Sequence, residues 1–485
     1  MPQPSVALIF QPQPIKRFMQ RTVTTIRFAA VITLLMFGQV INAQDASAER
    51  FKGVWLSPQQ GYVVDLLDRK ARVFHITASA CWVDKELAES VAPMLIHGRV
   101  ASDGLSAVAT ASPGASETTL LRLKALPERC TVPVDASPPA VLAALVETMS
   151  EHFAFFAERG MDWPGMIARA TQAINANSTK AELFAEVSKL LAATNDAHVT
   201  LRATVDGEER RLITGRGDTL SALRGAFSAQ SKIRVPAAFL ANWSTTIRDN
   251  VNTGVLESKG QTALNGQAFW GITAPTADGA KRSCYLSLTY LTDFTKRGGV
   301  AQDLDAVNDQ LDAIFSACAD TNDFILDISQ NRGGDDRVAL AIASRFAEVS
   351  TPVFQKQAHA KSGRAPVQAF TVTPSTRPIW RKPVTVLIDS ITVSAGEVLA
   401  VSMRALRQTT LVGQPTRGSL SDALEKSLPN GWRFTLSNEI YTAPSGELLE
   451  VRGVTPKHAV LWFDPKDLYN SHARQLTALV NGSRQ

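Results

Sequence analysis

Residues Val384 to Glu397, VTVLIDSITVSAGE, decide how the rest of the chain is read. The run Val384, Thr385, Val386, Leu387, Ile388 is apolar and β-branched, the pattern of a buried strand, whereas Glu397 to Leu406 carries helical periodicity. Ser394, Ala395 and Gly396 therefore fall at a strand-to-helix junction. A serine on the first turn of a helix sits near unpaired N–H groups and the positive end of the helix dipole. Both favour the negative charge that develops during acyl transfer. Taken alone, the same residues also describe a helix N-cap followed by a packing glycine, so the flanking chain has to discriminate.

From Gln267 onward strands and helices alternate. Strands are expected over Phe269 to Thr273, Cys284 to Tyr290, Phe324 to Ile328 and Thr410 to Gly413, and helices over Leu304 to Cys318 and Val338 to Phe346. Such alternation argues for an α/β domain with parallel strands, closed by hairpins that include a turn at Asn430 and Gly431. DISQNRGGDD overlaps the end of the strand Phe324 to Ile328 and precedes a helix. Gly333 and Gly334 can adopt backbone angles denied to other residues and so can aim N–H groups into a cleft, as an oxyanion hole requires. A tight turn or a phosphate nest are the alternatives, but no Lys-Ser/Thr follows the glycines and no GxGxxG fingerprint is present.

Upstream, Phe51 to Cys130 shows short alternating runs (Gly61 to Leu67, Ala71 to Thr77, Met94 to Val100, Thr118 to Leu123) of a small antiparallel β domain. A Pro-rich linker, Pro133 to Pro139, leads to helical patterns over Val141 to Phe156 and Lys180 to Leu191. Thr179 and Glu182 form a capping-box signature for the second. TNDAHVTL then places His198 on a loop between that helix and a strand-like Val199, Leu201 alternation, where a histidine can serve the fold or face a cleft. Residues from about Ala203 to Leu264 are polar and broken, and no Gly-Leu-Gly-Phe-like loop of a PDZ insert is visible there.

The 485 residues are 45% apolar, enough for a large core and two to four domains. Lys16, Arg17, Arg21 and Arg27 precede an apolar run from Phe28 to Ile41 and then small residues, which reads as a secretory signal peptide, with Met1 or Met19 as the start. The run is short for a transmembrane helix, and no later stretch reaches the length of a span. Removing the four basic residues before Gln44 from the net charge of +5 leaves +1, so charge gives a nucleic-acid partner no support. The four cysteines form no CxxC pair and no histidine has zinc-finger spacing, so no metal site is expected. In an exported chain an even count suggests disulfides. Sequence neighbourhood favours Cys81 with Cys130 and Cys284 with Cys318 among three connectivities, with buried free thiols as the alternative.

Taken together, these stretches carry a family resemblance. Asp327 to Gly334 resembles the D-L-R-x-N-x-G-G segment of the C-terminal processing (tail-specific) and tricorn-type serine peptidases. ITVSAGE resembles their T-x-S-A-x-E stretch, VGQPTRG their G-x-x-T-x-G turn, and YTAPSGELLEVRGVTPKHAV their closing Y-x-T-P-x-G, E-x-x-G-V-x-P-D pattern. NDAHVTL is similar to the D-x-H-T motif of members that use a histidine.

The resemblance implies a crotonase-like (ClpP/crotonase-type) α/β core with Ser394 as nucleophile and backbone N–H groups of Gly333 or Gly334 and of Ala395 as the oxyanion hole. The lysine of the serine–lysine variant would fall 25 residues after the nucleophile, where this chain has Ser419. Lys426 would serve only in a rebuilt loop, which leaves the histidine-using variant and His198 as general base. Glu450, of the E-x-x-G-V pattern, is the first candidate to orient His198, directly or through a hydroxyl. Asp196 and Glu397 are alternatives whose ordinary roles are turn and helix capping. Ser329, Lys457 and Ala197 depart from the family's arginine, aspartate and serine, so the bridge between His198 and its carboxylate is expected to differ.

The expected organisation is a signal peptide over 1–43, a β domain over 49–131, a helical module over 140–202, a connector of unassigned role over 203–264, a serine peptidase core over 265–470 and a tail over 471–485. The expected function is an exported, periplasmic serine endopeptidase acting on peptides or proteins through an acyl-enzyme, without cofactor. The competing reading is a non-catalytic carrier of an apolar ligand or peptide on the same fold. A small-ester hydrolase is the third, though the Gly-x-Ser-x-Gly elbow of α/β-hydrolases is absent.

Overall fold

The structure is a computed structural model that describes residues 49–482 apart from 69, 89–93, 96, 111, 113–114, 230–235, 277–278 and 297. The signal-peptide segment, with its two candidate start methionines, lies outside the described residues.

Val54–Ser57 (β1), Tyr62–Asp65 (β2), Arg72–Ile76 (β3), Cys81–Asp84 (β4), Arg99–Val100 (β5), Ser106–Ala109 (β6) and Thr118–Leu123 (β7) form one antiparallel sheet in the order β4-β3-β2-β1-β7-β6-β5. The sequence reading misses β1, β4 and β6, and of the expected strand Met94 to Val100 only Arg99–Val100 pairs. The sheet buries residues on both faces, Trp55 and Leu120 on one and Val54 and Phe74 on the other, so its shortest strands lack a clean period of two. Cys81 and Cys130 are joined, tying β4 to the segment beyond β7.

Three helices follow: Pro138–His152 (α1), Trp163–Ala173 (α2) and Lys180–Ala192 (α3). Prolines occupy the first turn of α1, where no intrahelical N–H is needed. Asp162 caps α2 by accepting from Gly165 N at 3.1 Å. The Thr179–Glu182 capping box starts α3, with Thr179 N to Glu182 Oε2 at 2.7 Å. Their shared core takes in Leu201, Phe434 and Leu436 from a second sheet.

That sheet begins with Thr200–Val205 (β8) and Glu208–Ile213 (β9), a hairpin whose turn holds Asp206 and Gly207 at positive φ. Gly217–Ala229 (α4) and Pro236–Gly254 (α5) follow. The stretch read as a featureless connector is thus a hairpin and two helices. Trp243, Ile247 and Val251 of α5 pack on one face of the main sheet, and this apolar stripe is thin enough to be masked by the polar residues around it.

The main sheet contains Gln261–Ala263 (β10), Ala268–Ile272 (β11), Ser283–Leu288 (β12), Asp323–Asp327 (β13), Val384–Ile388 (β16), Thr409–Gly413 (β17) and His458–Ala459 (β21), in the order β10-β11-β12-β13-β16-β17-β21. From β12 onward its pairs are parallel. Val300–Ala317 (α6), Asp336–Ser344 (α7) and Ala395–Arg404 (α8) cover one face against Leu286, Leu326 and Val386. The other face, with Tyr285, Ile325 and Leu387, is covered by α4, α5 and Ser471–Val480 (α9). The segment from 471, read as a tail, is therefore a packed helix with His472 and Leu476 fully buried. Cys284 of β12 and Cys318 at the end of α6 are joined.

Thr351–Ala358 (β14), Gln368–Val372 (β15) and Glu439–Thr442 (β20) make a three-stranded sheet, ordered β15-β14-β20. Ala423–Ser427 (β18) and Arg433–Ser437 (β19) form a hairpin that completes the sheet β18-β19-β8-β9. The whole is a mixed α/β architecture with several sheets. Loops after β12, β13, β16 and β17 gather at the carboxyl edge of the main sheet, where open α/β sheets place ligands.

Candidate active site

Ser394 is the N-cap of α8, and its backbone lies at φ +59°, ψ −131°. A non-glycine residue in that region is strained and persists only where its surroundings impose it. Two contacts do so here: Ser394 N donates to Ser419 O at 3.1 Å and to Glu397 Oε2 at 3.2 Å.

The Gly333–Gly334 loop at the end of β13 faces this serine. Gly333 has φ +90°, and a Cβ there would lie 2.8 Å from Ser394 Cβ. Asn331 locks the loop: its Oδ1 accepts from Gly333 N at 2.9 Å while its Nδ2 donates to Leu288 O at 3.0 Å. The same Oδ1 would stand 2.5 Å from a Cβ on Gly396, which accounts for glycine in the first turn of α8. Of the three expected oxyanion donors, Gly333 N–H is thus already engaged. Among the described residues no acceptor meets the N–H of Gly334 or Ala395, and these two are the donors available to an incoming oxygen.

Glu397, fully buried, is more than a helix cap. Its Oε1 accepts from Thr416 Oγ1 (2.6 Å) and Gly418 N (2.7 Å), and its Oε2 from Ser419 N (2.9 Å) and Ser394 N (3.2 Å). One carboxylate thereby fastens the 416–419 turn to the serine's own backbone. Burial pushes its pKa up to about 7, against these donors, which favour the ionised form.

Ser419 also meets the histidine loop, because its Oγ accepts from Ala197 N at 3.3 Å. Ser419 thus links the residue before His198 to the backbone of Ser394, although no hydrogen bond joins the His198 and Ser394 side chains among the described residues. Asp196 Oδ1 accepts from His198 N at 2.9 Å and its Oδ2 pairs with Arg159 at 2.9 Å. Arg159 and Arg417 both donate to Asn195 O, clamping the loop. Burial pushes the His198 imidazole below its ordinary pKa, and the charges of Asp196 and Asp422 oppose that shift. Its Nδ1 is buried and meets no partner among the described residues.

Glu450 is buried beside this group but makes no hydrogen bond to His198 among the described residues. Its Oε2 accepts from Leu420 N (2.8 Å) and Ser421 N (3.2 Å), and its Oε1 meets no partner among the described residues. Burial, with the charges of Asp196 and Glu397, pushes this carboxyl well above the usual carboxylate range.

Lys426 is nowhere near Ser394. It is buried against the first sheet, 4.1 Å from the Tyr62 ring centroid and hydrogen-bonded to Gln60 O. The sequence reading also misses two clusters, because nothing local marks them. Lys356 of β14 is buried with Nζ at 3.0 Å from Asp422 Oδ2, 3.3 Å from Glu439 Oε2 and 3.1 Å from Tyr441 OH. Asp327, at the start of the glycine loop, accepts from Tyr285 OH (2.7 Å), Ser329 Oγ (2.6 Å) and Ser329 N (3.0 Å) and lies 2.9 Å from His472 Nε2. Where the family pattern has arginine beside this aspartate, the chain has Ser329, and a histidine from α9 faces the carboxylate instead. Among the described residues no group of three or more His, Cys, Asp or Glu side chains is placed to hold a metal ion.

Residues 284–460 match the model of peptidase family S41, a span that contains Gly333, Ser394 and Glu450 but begins after His198. The chain is 26% identical over 148 residues to carboxyl-terminal-processing peptidase 2, chloroplastic, of Arabidopsis thaliana, covering 30% of this chain and 27% of that relative. It thus spans about a quarter of the curated relative it matches. A candidate peptidase from Parabacteroides merdae has a similar structure (TM-score 0.55, 22% identity, 71% of this chain and 97% of that chain). So does mature CPAF complexed with lactacystin (TM-score 0.52, 12% identity, 71% and 97%). At those identities the likeness is one of fold. The motif order and the match over residues 284–460 make this part of the chain similar to the peptidases of family S41.

Proposed function

We propose that the protein is a serine peptidase that cleaves peptide bonds through an acyl-enzyme on Ser394. The observation that carries this reading is the strained Ser394 backbone, held at a helix N-terminus beside two N–H groups, of Gly334 and Ala395, that meet no acceptor among the described residues. In the proposed reaction Ser394 Oγ attacks the scissile carbonyl while His198 takes its proton. The N–H groups of Gly334 and Ala395 stabilise the oxyanion, and His198 returns the proton to the leaving amine. A histidine whose pKa is lowered by burial is neutral near pH 7, the state a base needs.

Asp196 and Asp422 supply the negative charge that favours the imidazolium. Glu450 acts as a positioning residue: it anchors Leu420 and Ser421, next to Ser419, whose hydroxyl holds Ala197 beside His198. We further read the core as crotonase-like and the sheet β1–β7 as a separate domain. Export to the periplasm is supported by the basic and apolar N-terminal sequence and by two disulfides. No helix among the described residues is long and apolar enough to cross a membrane.

The test is labelling with a fluorophosphonate probe, read by intact mass, of the wild-type protein beside Ser394→Ala and His198→Ala. A single adduct lost in both variants is expected. A folded wild-type protein that forms no adduct overturns the peptidase reading in favour of the apolar-ligand carrier.

A further inference from the structure

On β8, β9 and β19, residues directly opposite one another share a face of the sheet. Two adjacent rows on the solvent-facing side run Thr435–Thr200–Ile213 and Arg433–Arg202–Arg211. They line a groove of about 310 Å³ on this face. The groove starts two residues from His198, since β8 follows the histidine loop directly and Thr435 Oγ1 donates to His198 O.

Three arginines in register on adjacent strands repel one another, an arrangement that is unfavourable without counter-charges. Arg433 has them, with Asp84 at 3.2 Å, Glu86 at 3.3 Å and Glu425 at 3.5 Å. Arg211 pairs with Glu209 on its own strand. Arg202, in the middle of the row and exposed, meets no carboxylate among the described residues. Glu425 also lines the groove but is the partner of Arg433, so of the charged residues lining it Arg202 is the one without an ion pair among the described residues.

We propose that this groove binds the substrate chain and that Arg202, seconded by Arg211, takes an acidic side chain of the substrate. This rests on the peptidase reading for its biological sense but not for its test. Arg202 stands two residues into β8, which itself begins two residues after the His198 turn. The preferred acidic residue accordingly lies three to four positions from the scissile bond. A side chain fits better than a free C-terminus. Terminal carboxylates are captured by nests of free N–H groups, whereas β8 is paired on both sides, with β9 and β19.

The experiment measures binding, by fluorescence anisotropy, of labelled decapeptides to the full chain carrying Ser394→Ala, so that no turnover is needed. The set places one Glu or Gln at each position in turn, with acid or amide C-termini. A position-dependent gain of about 5- to 10-fold for Glu over Gln is expected, as for a charge-assisted pair at a partly exposed site, and it should weaken with salt. Arg202→Gln should abolish the gain and Arg202→Glu should transfer it to Lys-containing peptides. Arg210→Gln, on the opposite face of β9, should keep the gain. Equal binding of Glu and Gln peptides, a gain that survives Arg202→Gln, or dependence on the terminal carboxylate alone overturns the proposal. Loss of fluorophosphonate labelling in the wild-type protein would bear on the peptidase reading and leave this binding result standing.

Discussion

Replacing His472 by leucine isolates what holds the glycine loop in place. In the folded chain Asp327 is almost fully buried. Burial alone would raise its pKa, but the His472 charge and hydrogen bond, with those of Ser329 and Tyr285, outweigh it and hold the carboxyl below its ordinary value. Leucine keeps most of the ring's volume between Trp462 and Phe463 but removes the imidazole nitrogen that faces the carboxylate at 2.9 Å. Breaking a buried pair from one side costs about 3–5 kcal/mol. Because Asp327 also anchors Ser329, the loss is local to α9 and residues 328–334. The expected readout at pH 7 is faster amide exchange there, by roughly 10² to 10³ at the lower end of that range. A depressed carboxyl contributes stability above its unfolded pKa, near 3.9, and loses it as pH falls through the lower folded value. In the variant burial is opposed only by the Ser329 and Tyr285 hydrogen bonds, so the Asp327 pKa rises and the deficit relative to wild type narrows as the pH falls. Adding Asp327→Asn to His472→Leu should recover most of the loss, since no buried charge is then left unpaired. Exchange within threefold of wild type in the single variant, or a double variant no better than the single one, would refute this account.

The catalytic reading makes two further demands. Gly333→Ala sets a Cβ 2.8 Å from Ser394 Cβ on a backbone at φ +90°. The fold should survive a strain of about 1–3 kcal/mol, while fluorophosphonate labelling slows by about 100-fold or more as Ser394 is displaced; near-normal labelling would place the loop away from the nucleophile. Asp422→Asn removes a charge that raises the His198 pKa, so the acid limb of the labelling rate should shift to lower pH. An unmoved limb would mean that His198 is not the titrating base.

Much of this was local in the sequence, and the reason is physical. β12, β13, β16 and β17 are buried on both faces and so read as continuous apolar runs, each followed by loops rich in glycine and small residues. The strand-to-helix junction at Ser394, the Gly333–Gly334 loop and the α3 capping box are likewise short-range features, set by a handful of adjacent residues. The order of these elements was enough to indicate a parallel α/β core with Ser394 at a strand-to-helix junction on its carboxyl edge.

What the sequence left open depends on approach across long separations. Only the folded chain shows that Gly333 N–H is taken by Asn331, that Glu450 meets the turn rather than His198, and that Lys426 faces Tyr62 of the first sheet. It also supplies His472 to Asp327 and Lys356 to Asp422. None of these pairings has a sequence period or spacing to announce it, because burial and counter-charge are set by which elements pack together. The sequence by itself determined the central strands of the main sheet and the loops that end them; the tertiary structure decided which polar groups are paired and which remain available, because those pairings depend on which elements pack together.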